Sequence, residues 1–199
     1  MSTNENPGRF ERAVAAFDAA NAADPNRVTV NGVSRPRELV DAERLSAWVA
    51  RLDPGASEAL RLAARSQHLR RFAVPRAEYP EGRIGYLEWR KALHRFHADE
   101  AEKILRGVGY DGLTIEAVRA IVQKRAIKQN PDAQTMEDAL CLVFLEFEAD
   151  EFATKHPPEK VVDILQKTWR KMSERGHEAA LRLPMSAGLS VLVKRALEG

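Results

Sequence analysis

Apolar residues return every three to four positions along most of this chain, and that spacing predicts helices almost throughout. Phe10, Val14 and Phe17 mark one apolar stripe between about Arg9 and Ala23, which Asp24-Pro25-Asn26 ends. Val28 to Gly32 reads as a short extended piece, and one lone strand cannot form a sheet. Ser34 is placed as the cap of a second helix, with Pro36 near its first turn, running to about Leu52. A third helix is expected from about Ser57 to Arg71 and a long fourth from about Ile84 to Gly107. Between them, Val74 to Gly82 holds two prolines and a glycine and reads as a surface loop near any site. Thr114 opens a fifth helix, to about Lys128. Thr135 with Asp138 resembles a capping box for a sixth, to about Ala153. Pro157-Pro158 opens a seventh that runs past Trp169 toward Gly176, and a last helix covers about Ser186 to Leu197.

The expected fold is therefore all-α, with about eight helices and no internal repeat. At 199 residues the chain suits one domain over 1–199. Its core would be about 35–153, with C-terminal helices 157–198 packed on it. Hydrophobic residues at 44% and charged residues at 30% are an ordinary globular balance. The 31 basic and 29 acidic residues nearly cancel, to +2, so there is no global pull toward nucleic acid or an anionic membrane. The single cysteine, Cys141, sits in the apolar run ALCLVFLEF and cannot form an internal bridge, which favours a reduced, cytoplasmic chain. The N-terminal MSTNENPGRFERAV has no apolar signal core, and the longest apolar run, Ala139 to Leu145, is too short to span a membrane.

Several familiar chemistries find no support. Gly107-Val108-Gly109 ends a helix and follows no strand, so it is not a phosphate loop. Cys141 lies in a buried run, and no serine has an identifiable base. Lys171-Met172-Ser173 resembles part of the KMSKS loop of class I aminoacyl-tRNA synthetases. It falls within or at the end of a helical run with Val161, Leu165 and Trp169, without a HIGH-like partner or a βαβ pattern, and that assignment is rejected.

What remains is a set of polar residues on apolar faces. Glu43 shares a face with Leu39, Ala47 and Ala50. His68 follows Leu60 and Ala64, and His97 stacks between Leu93 and Ala101 in LHRFHADEAEKIL. Asp138 lies under Cys141, Leu142 and Leu145. Burying a lone carboxylate costs several kcal/mol unless it is partnered. Two carboxylates and two imidazoles meeting at one divalent ion would satisfy one another, and such a mixed set suits Fe, Mn, Zn or Ni. The bland alternatives are a hydrogen-bonded core histidine, a capping role for Asp138 and an ion pair of Glu43 with Arg44 or Arg65. Glu100 follows His97 onto the same face. Three basic clusters are candidates to grip a phosphate: Arg70 and Arg71; Arg90, Lys91 and Arg95; and Lys167, Arg170, Lys171 and Arg175.

Leu60-Arg61-Leu62-Ala63-Ala64-Arg65-Ser66-Gln67-His68 resembles the segment of HD-domain phosphohydrolases in which two alanines precede the His-Asp doublet. Gln67 falls at that histidine and His68 at that aspartate. Glu43 falls near the family's first histidine, His97 matches a further one and Asp138 matches the closing aspartate. Lys124 and Arg125 stand where two-metal members carry another histidine, so one metal at most is expected. Over its whole length from about Arg9, the chain more closely resembles a bacterial and fungal domain-of-unknown-function family, DUF4202, through its SQHLRRF, WRKALHRFHADEA, MEDALCLVFLEFE and KTWRKMSERG blocks. The HD resemblance implies a metal-dependent phosphohydrolase acting on a nucleotide or small phosphorylated metabolite. Glu43, His68, His97 and Asp138 would be its metal ligands, with Gln67 or Glu100 assisting. Arg71 would position the phosphate and Glu100 would act as base. The alternative is a non-catalytic ligand- or RNA-binding module on a degenerate HD scaffold. An iron-dependent oxygenase is disfavoured by too few ligands for two irons.

Overall fold

Several of the helices begin where a side chain just upstream accepts from the free backbone amides. The computed structural model describes residues 8–198. Within them lie α1 (Arg9–Ala22), α2 (Arg37–Leu52), α3 (Glu58–Ser66), α4 (Gly82–Gly107) and α5 (Gly112–Val122). They are followed by α6 (Pro131–Phe147), α7 (Ala149–Lys155), α8 (Pro158–Trp169), α9 (Glu174–Ala180) and α10 (Ala187–Glu198). Ser57 caps α3 by accepting Leu60 N–H at 3.0 Å, and Asp111 caps α5 by accepting Thr114 N–H at 2.8 Å. Asn130 caps α6, with Pro131 in its first turn, where a missing N–H costs nothing. The caps expected at Thr114 and at Thr135 with Asp138 are thereby corrected. In both cases a side chain just upstream already serves the free amides. The sequence reading of residues 1–7 lies outside the described residues.

The mostly helical architecture agrees with expectation, but among the described residues ten α-helices replace about eight. Two expected helices are each divided. The sixth turns a corner at Glu148, outside helical geometry, so that α7 folds back and Phe152 meets Phe144 at 5.9 Å between ring centroids. The seventh stops at Trp169. Ser173 then caps α9, and His177 stacks flat on Trp169 at 3.9 Å. The Lys171-Met172-Ser173 triplet is this α8–α9 junction.

A second correction concerns Val28 to Gly32. Strands β1 (Arg27–Val30) and β2 (Val33–Pro36) pair antiparallel, with Val30 opposite Val33 and Arg27 opposite Pro36. Asn31 and Gly32 both have positive φ, 50° and 78°, the geometry of a two-residue hairpin turn. Ser34 is therefore a strand residue and not a helix cap.

Helix α3 runs through the middle and packs against α1, α2, α4, α5 and α6. Leu60, Leu62, Ala63 and Ala64 have no solvent exposure. Its alanines let neighbouring helices approach closely, and its few polar groups are partnered. Arg65 reaches Asp18 of α1 through two hydrogen bonds of 2.6 and 2.7 Å, while Arg61 lies over the Phe10 ring. The core continues through Val118 and Val122 of α5 and Met136, Ala139 and Leu142 of α6. No described helix is long and apolar enough to cross a membrane.

At the start of α4, Gly85 permits a close approach. A Cβ there would lie 2.0 Å from the Pro80 carbonyl oxygen. Gly85→Ala should cost about 1–3 kcal/mol, the usual penalty for overpacking, read as a lower urea midpoint. Gly107→Ala, at the far end of the same helix with nothing within 4 Å, should be neutral or slightly stabilising.

Candidate functional site

A pocket of about 450 Å³ opens beside the C-terminal end of α3, within the range of small-molecule sites. Gln67 and His68 enter it just after α3, and Arg71 enters from the 3-10 turn Arg71–Ala73. Tyr86, Arg90, Leu93, His94 and His97 line it from α4, and Lys124 from the turn after α5. Glu137, Leu140, Cys141 and Phe144 recur at helical spacing along α6. Asp41 and Leu45 of α2, Val143 of α6, Glu148 at the corner after it, Phe152 of α7, and Ile164 and Thr168 of α8 complete the wall, with Lys171 just beyond.

Cations outnumber their partners here. Lys124 pairs with Glu137. Among the described residues, Arg71, Arg90 and Lys171 have no carboxylate within ion-pair distance. Arg71 rests over the Trp89 ring at 5.2 Å, and Trp89 in turn donates to the Val74 carbonyl at 2.9 Å. The turn that carries Arg71 is held firmly. Arg70 has positive φ, 53°, its N–H donates to Asn21 Oδ1 at 2.9 Å, and its guanidinium donates to Glu100 at 2.6 Å. Asp41 pairs with Arg44 at 3.3 Å. Burial raises the pKa values of Asp41 and Glu148.

The histidines are neutral near pH 7. Burial pulls His94 and His97 down to about 4 and holds His68 well below its usual value, with nearby cations such as Arg71 and Arg90 acting in the same direction. His97 Nδ1 lies 2.8 Å from the Leu69 carbonyl oxygen. A carbonyl only accepts, so Nδ1 carries the proton and Nε2 is a bare lone pair. That Nε2 is fully buried and has no partner among the described residues. Gln67 is similar: its amide nitrogen donates to the Val122 carbonyl at 3.3 Å, and its buried Oε1 has no partner. The rings of His68 and His97 are 6.0 Å apart, edge to face.

Of the four expected metal ligands, His68 and His97 line the pocket together. Glu43 does not join them. It faces β2, where Arg35 holds it through two hydrogen bonds of 2.7 and 2.8 Å, with Arg65 at 3.9 Å. Asp138 faces the opposite side of α6 and serves the start of α9. It accepts Ser173 N–H at 2.8 Å, Ser173 O–H at 2.5 Å and the Gln134 amide at 3.0 Å. The expected four-residue set thus does not fit one ion, and among the described residues no group of three or more His, Cys, Asp or Glu is disposed to hold one. Glu100, expected as a base, is engaged by Arg70 and Lys103 and does not line the pocket. It acts through Arg70 on the turn that carries Arg71. Arg71, expected to position a phosphate, lines the pocket.

Asp41, Glu137 and Lys124 were passed over as site residues. The signals were present. Asp41 is one helical turn before Leu45, and Glu137 precedes Leu140, Cys141 and Phe144 at three, four and seven residues. On α6 the apolar residues run nearly all round, so periodicity does not tell the face of residue 137 from that of residue 138.

The model of one family, described as a domain of unknown function (DUF4202), matches residues 11–193. No curated protein and no solved structure matches the chain.

Asp138→Ala would leave the buried start of α9 unserved and should cost about 2–4 kcal/mol of stability. Filling of the pocket by a ligand should be little affected, which a thermal-shift titration of each protein would show.

The histidines also set a pH dependence. Below about pH 6.5 the unfolded chain protonates a histidine that folded His97 leaves neutral until about pH 4, so stability falls as pH drops through that window. For His97 the loss approaches roughly 3 kcal/mol. Glu38, pushed up to about 7 by burial, works in the opposite sense: its contribution is present below about 4.5 and lost as pH rises through 7. With His68 and His94 adding to the histidine side, net stability should rise between pH 4.5 and 6.5. Urea midpoints across that range should show the rise, and His97→Gln should flatten it.

Proposed function

The chain belongs to the DUF4202 family, and from its geometry we propose that it is a helical binding protein for a small phosphorylated molecule. The observation that carries this reading is the convergence of Arg71, Arg90 and Lys171, without carboxylate partners, on a pocket of about 450 Å³. Unpaired guanidinium groups at a partly desolvated mouth favour a ligand of high negative charge, and phosphate takes two parallel hydrogen bonds from an arginine. Leu93, Leu140, Phe144 and Ile164 offer an apolar wall for the rest of the molecule. A recess of this size suits a metabolite or nucleotide better than a polymer such as RNA. Gln67, His68 and His97, three positions that the HD-like pattern aligned, lie in the same recess, which supports an HD-like origin for the scaffold.

Binding is preferred to hydrolysis because the residue expected as base, Glu100, is turned away into an ion pair with Arg70. A metal-dependent phosphohydrolase is the second reading. The observation favouring it is the bare Nε2 of His97 beside His68, which would hold one divalent ion with ligands completed from outside the expected set. Such an ion would supply charge at a phosphate oxygen.

Phosphate-bearing probes, beginning with inorganic phosphate and adenosine monophosphate, should raise the thermal midpoint of the native protein. Arg71→Ala and Arg90→Ala should each weaken that binding by about tenfold to a hundredfold, the worth of a charge-assisted hydrogen bond, while Lys91→Ala should not. No midpoint shift with any phosphorylated probe would end this reading. Phosphate release that depends on added Mn, Zn, Fe or Ni would move the conclusion to the second.

A further inference from the structure

The floor and the mouth of the pocket have different chemistry. Arg71 and Arg90 are half-buried and Lys171 is exposed, so the cations lie toward solvent. Gln67 and His97 are only 2% and 1% exposed. Each brings one polar atom with no partner, Gln67 Oε1 and His97 Nε2. Both atoms are acceptors, and their orientation is imposed from behind. Turning the Gln67 amide over would set its oxygen against the Val122 carbonyl, where the nitrogen now donates. Moving the His97 proton to Nε2 would set a bare Nδ1 against the Leu69 carbonyl. The protein thus fixes two buried lone pairs on residues that line the cavity, and no donor among the described residues meets either. Native interiors seldom leave such atoms unpaired, because each costs about 1–3 kcal/mol.

We propose that the end of the bound molecule remote from its phosphate presents two hydrogen-bond donors, which Gln67 Oε1 and His97 Nε2 accept. This rests on the phosphate reading for the other end of the ligand and specifies what that reading leaves open. The shared chemistry is a donor pair carried on a phosphorylated body. A sugar supplies it through adjacent hydroxyls, and a nucleobase through an amino group and ring N–H. An alkyl phosphate, which has a phosphate and an apolar chain alone, fills the mouth and wall but leaves both acceptors unpaired.

The test is calorimetric titration of the native protein with n-pentyl phosphate, ribose 5-phosphate, adenosine monophosphate and guanosine monophosphate, and with ribose, adenosine and guanosine. At least one donor-bearing phosphate should bind about tenfold or more tightly than pentyl phosphate, the worth of one or two neutral hydrogen bonds. Which one does so separates sugar from base as the source of donors. That advantage, read as the ratio of the two affinities within one protein, should fall in Gln67→Met. Should the variant not fold, the comparison of probes on the native protein still decides.

Pentyl phosphate binding as tightly as every donor-bearing phosphate would overturn the proposal. If no phosphate binds, the phosphate reading fails by itself. Ribose, adenosine or guanosine binding that depends on Gln67 would then keep the donor assignment, and no binding by any of them would remove it. A stoichiometric metal ion retained by the purified protein and lost in His97→Gln would also overturn it, because Nε2 would then already have its partner.

Discussion

The turn by which the chain leaves α3 is the constraint on which the pocket depends. In five residues it sets Gln67 and His68 at the floor, buries Leu69 completely and sends Arg71 to the mouth. The Leu69 carbonyl, left free by the end of the helix, fixes the His97 tautomer from behind the pocket wall. None of this survives if the helix simply continues. What stops it is the left-handed conformation at Arg70, which costs a non-glycine residue about 1–2 kcal/mol. Asn21 offsets that cost by accepting the Arg70 N–H, and Glu100 does so by holding its guanidinium. Two helices distant in sequence, α1 and α4, therefore clamp one residue so that the next faces the pocket. Local strain held by surrounding contacts is common at binding sites. Lys124, also at the pocket, has positive φ too.

The electrostatic design follows from the same packing. Three imidazoles in one cavity would add to the cations already there if they were charged. Burial keeps them neutral instead, so their nitrogens work as hydrogen-bonding groups and the positive field comes from arginine and lysine nearer to solvent. Glu137 is held by Lys124 and Asp41 is paired with Arg44. Arg71, Arg90 and Lys171 have no carboxylate at ion-pair distance among the described residues, Glu148 and Asp41 acting on Arg71 only from further off. The result is a gradient from a cationic mouth to a neutral, acceptor-rich floor.

How much of this was legible in the sequence differs by feature. Helices with clear apolar stripes and strong breakers, such as α1, α2 and α4, were readable to within a few residues. The hairpin at Asn31-Gly32 was missed although its turn dipeptide is a strong signal, because the flanking strands are only four residues long and carry little alternation. The corner at Glu148 has no proline or glycine to announce it. It is imposed by the packing of Phe152 on Phe144, which is tertiary. The candidate site was half legible. His68, His97 and Arg71 were found because each is an isolated polar residue on an otherwise apolar or basic stretch. Glu43 and Asp138 were misassigned because inward-facing was taken to mean facing the same place. Their partners, Arg35 and Ser173, are eight and thirty-five residues away, and no periodicity within one helix reveals a partner on another element.

The distinction between Asp138 and Glu137 shows why the pocket reads as functional and not as a packing fault. Both carboxylates are buried on one helix, and both are fully answered, one by the start of α9 and the other by Lys124. Glu43, Asp18 and Asp24 are likewise partnered by named groups. A chain that partners these five carboxylates has the means to satisfy two neutral acceptors. A hydroxyl or amide donor facing Gln67 or His97 would do it, and apolar replacements at both positions would remove the need, a change that is often neutral or stabilising. The surrounding core, with Leu60, Leu62 and Leu142 each contributing about 2 kcal/mol by burial, bears the cost of leaving them open. Glu38 Oε2 is also buried without a partner among the described residues. Gln67 and His97 differ from it in being neutral, held from behind by backbone carbonyls and set in the wall of one recess near Arg71 and Arg90, which is why the proposed ligand is assigned to them.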